Sequence, residues 1–192
     1  MTVFVRSAFI WKPSKKHKVV LDTHYIICLP ILFILHDTEE IITYHRWIIA
    51  HRKTLIQKFP RLRSMFNYMA DFSTSSFTWA ALEELLVLLL VTAYYLLDGA
   101  YSLQIWSAIF IAFSLHLVLH LGQSCILKGY VPGVISSLLL LPYSVHVVQR
   151  VCTRMETWEL IAWGLMGLVF IAINLKFAHW LGAKISPARQ KR

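Results

Sequence analysis

Long apolar runs constrain this chain more than any other feature. Leu85–Leu97, Ile105–Leu119 and Ile161–Leu175 are almost wholly apolar. About 18–20 such residues in a helix cross the ~30 Å hydrocarbon layer of a bilayer. Of the 192 residues, 57% are hydrophobic. Soluble domains sit near ~45–50% apolar, on a count that includes Gly and omits Tyr. A chain of this length fits one helical domain. The fold expected is therefore an all-α, polytopic membrane bundle of about five transmembrane helices with one basic amphipathic connection.

The spans can be placed along the chain. Residues 1–20 form a basic N-terminal arm, 21–182 a single transmembrane helical domain, and 183–192 a basic C-terminal tail. The first span runs from Leu21 to Ile42, with Pro30 inside it. Arg46 to Asp71 is the basic connection, in which Leu55, Phe59, Leu62, Phe66 and Met69 recur every three or four residues. That stripe predicts an amphipathic helix lying on the membrane and interrupted near Pro60. Ser73 to Ser76 offer an N-cap for a second span, Phe77–Leu97, which ends at Asp98-Gly99. The third span covers Leu103–Leu121 and stops at Gly122. The fourth starts at the Tyr130-Val131-Pro132-Gly133 turn and runs to Val148, and the fifth covers Glu159–Leu181. Trp47, Trp79, Trp106, Trp158 and Trp180 fall near span ends, where interfacial anchors belong.

The formal net charge of +9 lies outside the apolar runs. Membrane lipid headgroups account for it, and no separable basic module points to nucleic acid. Five spans put the termini on opposite sides. Twelve Lys and Arg then fall on the C-terminal side and seven on the N-terminal side, so the C-terminal side is expected to face the cytoplasm of a cell membrane. Cys28, Cys125 and Cys152 have neither the spacing nor the number of a disulfide framework.

Against this apolar background the acidic residues are conspicuous. Four of the six Glu occur as two adjacent pairs, Glu39-Glu40 and Glu83-Glu84, in or at the end of spans. A charged group at mid-bilayer costs about 2.5–3.5 kcal/mol on insertion scales. Helix geometry brings His36, Glu40, Glu83, Glu84, His116, His120 and His179 toward one layer near the C-terminal side, from four different spans. His36 shares a helix face with Glu39 and Glu40, and His116 with His120. The i,i+4 spacing lets two imidazoles of one helix reach one metal. Apart from Lys176, which can extend to the interface, no Lys or Arg at that depth offers a counter-charge. A divalent cation is the most direct way to hold such a set together. The expected ligands are His36, Glu39, Glu40, Glu83, Glu84, His116, His120 and His179, with His45 a weaker candidate. His17, His24, His51 and His146 lie elsewhere and are read as ordinary residues.

His36-Asp37-Thr38-Glu39-Glu40, Glu83-Glu84, His116-Leu117-Val118-Leu119-His120 and Tyr130-Val131-Pro132-Gly133, in that order, resemble the HXXEE-domain family of small bacterial membrane proteins. The resemblance covers Leu21 to Leu181. It implies a bacterial multi-helix membrane protein and supports this choice of residues, but it implies no reaction.

The residues themselves point first to a membrane metalloenzyme acting on a lipid or other apolar substrate. One zinc ion with Glu40 or Glu84 as general base would suit hydrolysis. A dinuclear carboxylate–His site holding iron would suit oxidation. A second class of reading is a proton or metal-ion transporter, since intramembrane Glu and His also serve proton relays. A third is a non-catalytic sensor or structural protein. Nothing in the sequence fixes an oligomeric state.

Overall fold

The computed structural model describes residues 21–186. The basic arm and the tail beyond residue 186 lie outside the described residues. Six helices follow one another: α1 Thr23–Lys58, α2 Arg63–Asp71, α3 Thr74–Leu96, α4 Ser102–Leu127, α5 Val134–Cys152 and α6 Thr157–Ile185. No strand occurs among the described residues. The chain is all-α, as expected from its apolar runs.

Four helices, α3 to α6, are long and apolar enough to cross a membrane. The outward faces of α3, α5 and α6 carry Leu86, Leu90, Leu139, Leu165, Val169 and Ile173, all exposed. Apolar surface of that extent is what lipid contact requires and what water disfavours. The expected first span differs from the other four. Its helix does not end at Ile42 but continues to Lys58 without a break, through Pro30 and the His36–Glu40 segment. Those ionisable residues shorten its continuous apolar stretch.

The basic connection is correspondingly not a separate surface helix. Its first half is the end of α1, and the chain turns back only at a 3-10 turn, Pro60–Leu62, just where Pro60 predicts a break. The amphipathic stripe packs inward. Leu55 and Phe66 are buried together with Ile48, and Phe59 and Met69 pack against them. Leu62 alone of the five is exposed. α2 thus lies on the second half of α1, and Arg52 Nε donates to Asn67 Oδ1 across the pair at 2.9 Å.

Local chemistry explains most helix ends. Ser73 caps α3, its Oγ accepting from Ser76 N at 3.1 Å. Glu156 and Glu159 form a capping box at the start of α6. α4 runs past Gly122 to Leu127, because an isolated glycine is tolerated inside a packed helix. Lys128, in the left-handed region at φ 55°, ends it. Lys58 Nζ donates to Ile126 O at 2.6 Å, satisfying one of the last carbonyls of α4.

The main core lies between α1, α3, α4 and α5, around Ile26, Leu29, Trp106, Phe110, Leu117 and Val147. Trp106 is a core residue and not the interfacial anchor expected; it is fully buried and stacks on Phe110 with ring centroids 4.9 Å apart. Trp79, Trp158 and Trp180 are exposed near helix ends. α6 packs through two glycines. A Cβ on Gly167 would lie 2.3 Å from Ala108 O of α4, and one on Gly182 would lie 2.1 Å from Ser76 O of α3. Small residues that admit this close approach are the usual means of joining helices in lipid. At the far end of the bundle, Tyr25 Oη and His146 Nε2, 3.0 Å apart, join α1 to α5.

Candidate metal centre

Two turns of α1 and two of α4 face each other inside the bundle. His36 and Glu40 project from α1, and His116 and His120 from α4. Each of the four offers a ligand atom, and these atoms all lie within 4.8 Å of one another. His120 Nε2 is 2.9 Å from His116 Nε2 and 3.2 Å from Glu40 Oε1. The His36 ring centroid lies 5.0 Å from that of His116 and 4.9 Å from that of His120. Donors about 2.0–2.2 Å from one tetrahedral ion stand roughly 3–3.5 Å apart, and the two separations at His120 Nε2 are close to that.

The donor set fits an ion on other grounds too. His36 is fully buried, and its Nε2 has no hydrogen-bond partner. Its Nδ1 lies 2.9 Å from Ser136 Oγ. That hydroxyl has acceptors of its own, Glu39 Oε2 at 2.6 Å and Gly133 O at 3.2 Å, so it accepts from Nδ1–H. The lone pair of His36 is therefore on Nε2, the buried nitrogen that has no other partner. A second group fixing one ring nitrogen while the other binds is characteristic of metal-ligating histidine.

Gly133 closes the site from above. With φ 80° it starts α5, and a Cβ there would lie 2.9 Å from His36 Cε1, 3.0 Å from Glu40 Oε1 and 3.0 Å from His120 Cε1. The Tyr130–Gly133 turn is thus laid directly on three of the four side chains.

The remaining expected ligands are placed differently. Glu39 turns away from the cluster to the N-terminus of α5. Its Oε2 accepts from Ser136 N at 2.7 Å and its Oε1 from Ile135 N at 3.3 Å and Tyr130 Oη at 2.9 Å. Gly133 has no side chain to cap α5, and the Glu39 carboxylate takes that role from another helix, where the dipole favours it. The two Glu of the first pair therefore divide the work, one toward the His-rich cluster and one toward the turn above it. Glu83 accepts from Asn174 Nδ2 at 3.1 Å and joins α3 to α6. Glu84 and His179 stand outside the four-residue group but line the cavity beside it. His179 packs its ring on Phe72, centroids 4.8 Å apart. His45 Nδ1 lies 3.2 Å from Phe72 O, tying α1 to the end of α2.

The cavity has a volume of about 360 Å³. Glu40, His116 and His120 form part of its wall, with Phe33, Leu88 and Phe113 among the apolar lining. Asp37 and Glu84 line it as well. Asp37 and Ser136 are the two residues that sequence reasoning left out. Asp37 stands three residues before Glu40 on one helix face, a signal that was available. Nothing in the sequence links Ser136 to His36, 100 residues away.

A family model described as "Protein of unknown function with HXXEE motif" matches residues 27–147. The chain belongs to the HXXEE family. The motif that names the family is His36-Asp37-Thr38-Glu39-Glu40 here, and the matched segment holds all four residues of the cluster together with Gly133 and Ser136. α6, with His179, lies beyond the HXXEE match. No curated protein and no solved structure matches the chain.

Proposed function

We propose that this HXXEE protein is a multi-pass membrane metalloenzyme acting on a lipid or other apolar molecule. A divalent ion, zinc or iron, is held by His36, Glu40, His116 and His120. The observation that carries the reading is the position of this four-residue cluster on the wall of a largely apolar cavity within a bundle whose outer faces are apolar. A ligand pocket of this kind, apolar with a few convergent polar groups, is the usual form of a small-molecule site. The ion would supply Lewis acidity or redox chemistry where the substrate meets the wall.

The chain's own residues do the remaining work. Ser136 and Glu39 hold His36 in one orientation. Gly133 and the turn before it cover the cluster on one side, leaving the cavity as the approach. The apolar lining excludes water and favours a hydrocarbon group. Glu84, on the same wall, can take a proton or a cation. The C-terminal side and the centre face the cytoplasm in this reading, from the excess of Lys and Arg there.

The test is a comparison of lipid extracts from cells producing the wild type and the His116→Ala/His120→Ala double variant at equal membrane levels. Mass spectrometry should find at least one lipid class or apolar metabolite changed by the wild type alone. Identical profiles would overturn the enzymatic reading.

A further inference from the structure

The cavity beside the His-rich cluster is graded along its length. Its wall follows α1 from Phe33 to Trp47 and α4 from Ile109 to Gln123, ~21 Å on each at the helical rise. At one end the lining is Phe33, Leu88, Ile109, Ala112 and Phe113, all apolar and all buried, so that end is blind. At the other end Gln123 is exposed and Trp47 and Met69 are half-buried, so that end is the mouth. Glu40 and His116 stand midway, ~10 Å along their helices from Phe33 and from Ile109. The cavity therefore has an apolar floor, a polar belt that includes part of the candidate metal centre, and an open top.

This order of surfaces selects how a guest enters. Burying hydrocarbon in the floor is favourable, whereas a polar group there would find no partner. A chain must go in tail first, with its polar group stopping at the belt. The belt also restricts charge. Among the described residues no Lys or Arg lines the cavity. A phosphate, sulfate or carboxylate head would be buried with no basic side chain to pair it, beside the carboxylates that line the same wall. An extended chain advances ~1.2 Å per bond, so the ~10 Å below Glu40 and His116 take about eight carbons.

We propose that the guest of this cavity is an uncharged single-chain amphiphile, a medium-chain alcohol, aldehyde or ester, bound tail first with its oxygen group level with Glu40 and His116. The proposal rests on the reading of the cavity as the substrate site and names the class of substrate. Chemistry then falls at the polar end of the chain and not within its hydrocarbon. Ala112, the smallest residue of the floor, leaves room for the end of the tail.

The test is photolabelling of the full chain in detergent, with and without added zinc. The probe is octan-1-ol carrying a diazirine at its penultimate carbon, and labelled residues are mapped by mass spectrometry. Label is expected on Phe33, Leu88, Ile109 or Phe113. Excess plain octan-1-ol should suppress it, and octyl sulfate at the same concentration should not. Ala112→Phe, which fills the floor, should lose it. Label confined to outward residues such as Leu86, Leu90 and Leu139 overturns the proposal, and octyl sulfate competing as well as octan-1-ol overturns the uncharged head. Should the variant fail to fold, the wild-type map and its competition decide alone. The two readings fail separately. Label on the floor of a protein that binds no zinc supports the guest and overturns only the zinc ion, whereas zinc binding without such label overturns only the guest.

Discussion

Ser136 Oγ stands 2.9 Å from His36 Nδ1 and 2.6 Å from Glu39 Oε2, so one hydroxyl joins the first and fourth residues of the HXXEE motif through a different helix. The arrangement sets the tautomer of His36. Ser136→Ala should keep the fold and lower metal affinity by about 10–100-fold, the usual effect of losing such an outer partner. A competition titration against a chelator measures it. Unchanged affinity would show that the hydroxyl does not orient the ligand.

Gly133 gives a stricter test of the turn above the centre. Ala at this position meets two penalties. A left-handed backbone costs a non-glycine residue roughly 1–2 kcal/mol. The added methyl would also sit about 3 Å from His36, Glu40 and His120. Gly133→Ala should therefore lose bound metal while the circular dichroism of the helices persists. Full metal content in the folded variant would mean that the turn does not cover the site.

Helix packing by α6 should matter to stability and not to the ligands themselves. Gly167 faces the Ala108 carbonyl with no room for a side chain. Gly167→Leu is expected to lower the Tm of the detergent-solubilised protein by several degrees, a size typical of overpacking. A thermal unfolding curve identical to that of the wild type would contradict the close α4–α6 contact.

Orientation can be read from the chain's own cysteines. Cys125 and Cys152 are both exposed, near the C-terminal ends of α4 and α5, which run in opposite directions across the six-residue turn between them. In single-cysteine variants, Cys152 should react with a membrane-impermeant thiol reagent in intact cells. Cys125 should react only after permeabilisation. The reverse pattern would turn the protein over and place the metal centre near the outer face.

The sequence carried much of this structure, for identifiable reasons. Apolar runs of bilayer length are a strong signal, and α3, α4, α5 and α6 begin within four residues of where the runs and caps place them. Helix ends were harder to read. Gly122 looks like a stop but lies inside α4, and moving the end to Leu127 puts His120 seven residues, ~10 Å, from that end. The extension of α1 past Ile42 was hidden because its second half is basic, and a basic amphipathic pattern suits a lipid surface as well as a partner helix. The intrahelical pairs His36/Glu40 and His116/His120 were legible from spacing alone. The division between Glu39 and Glu40 was not, since it depends on which carboxylate meets the uncapped end of α5. The absence of Lys and Arg around Glu84 and Asp37 was visible, whereas the cavity they share needed three dimensions.

The most direct measurement is the metal content of the protein purified from membranes, determined for zinc, iron and manganese together. It is made on the wild type and on the folded His116→Ala/His120→Ala variant. The account predicts at least one tightly held divalent ion per wild-type chain and its loss from the variant, since two of the four clustered side chains are removed. A wild type free of metal that also refuses it on reloading, or a variant that keeps the full complement, would contradict the assignment of His36, Glu40, His116 and His120 as a metal centre.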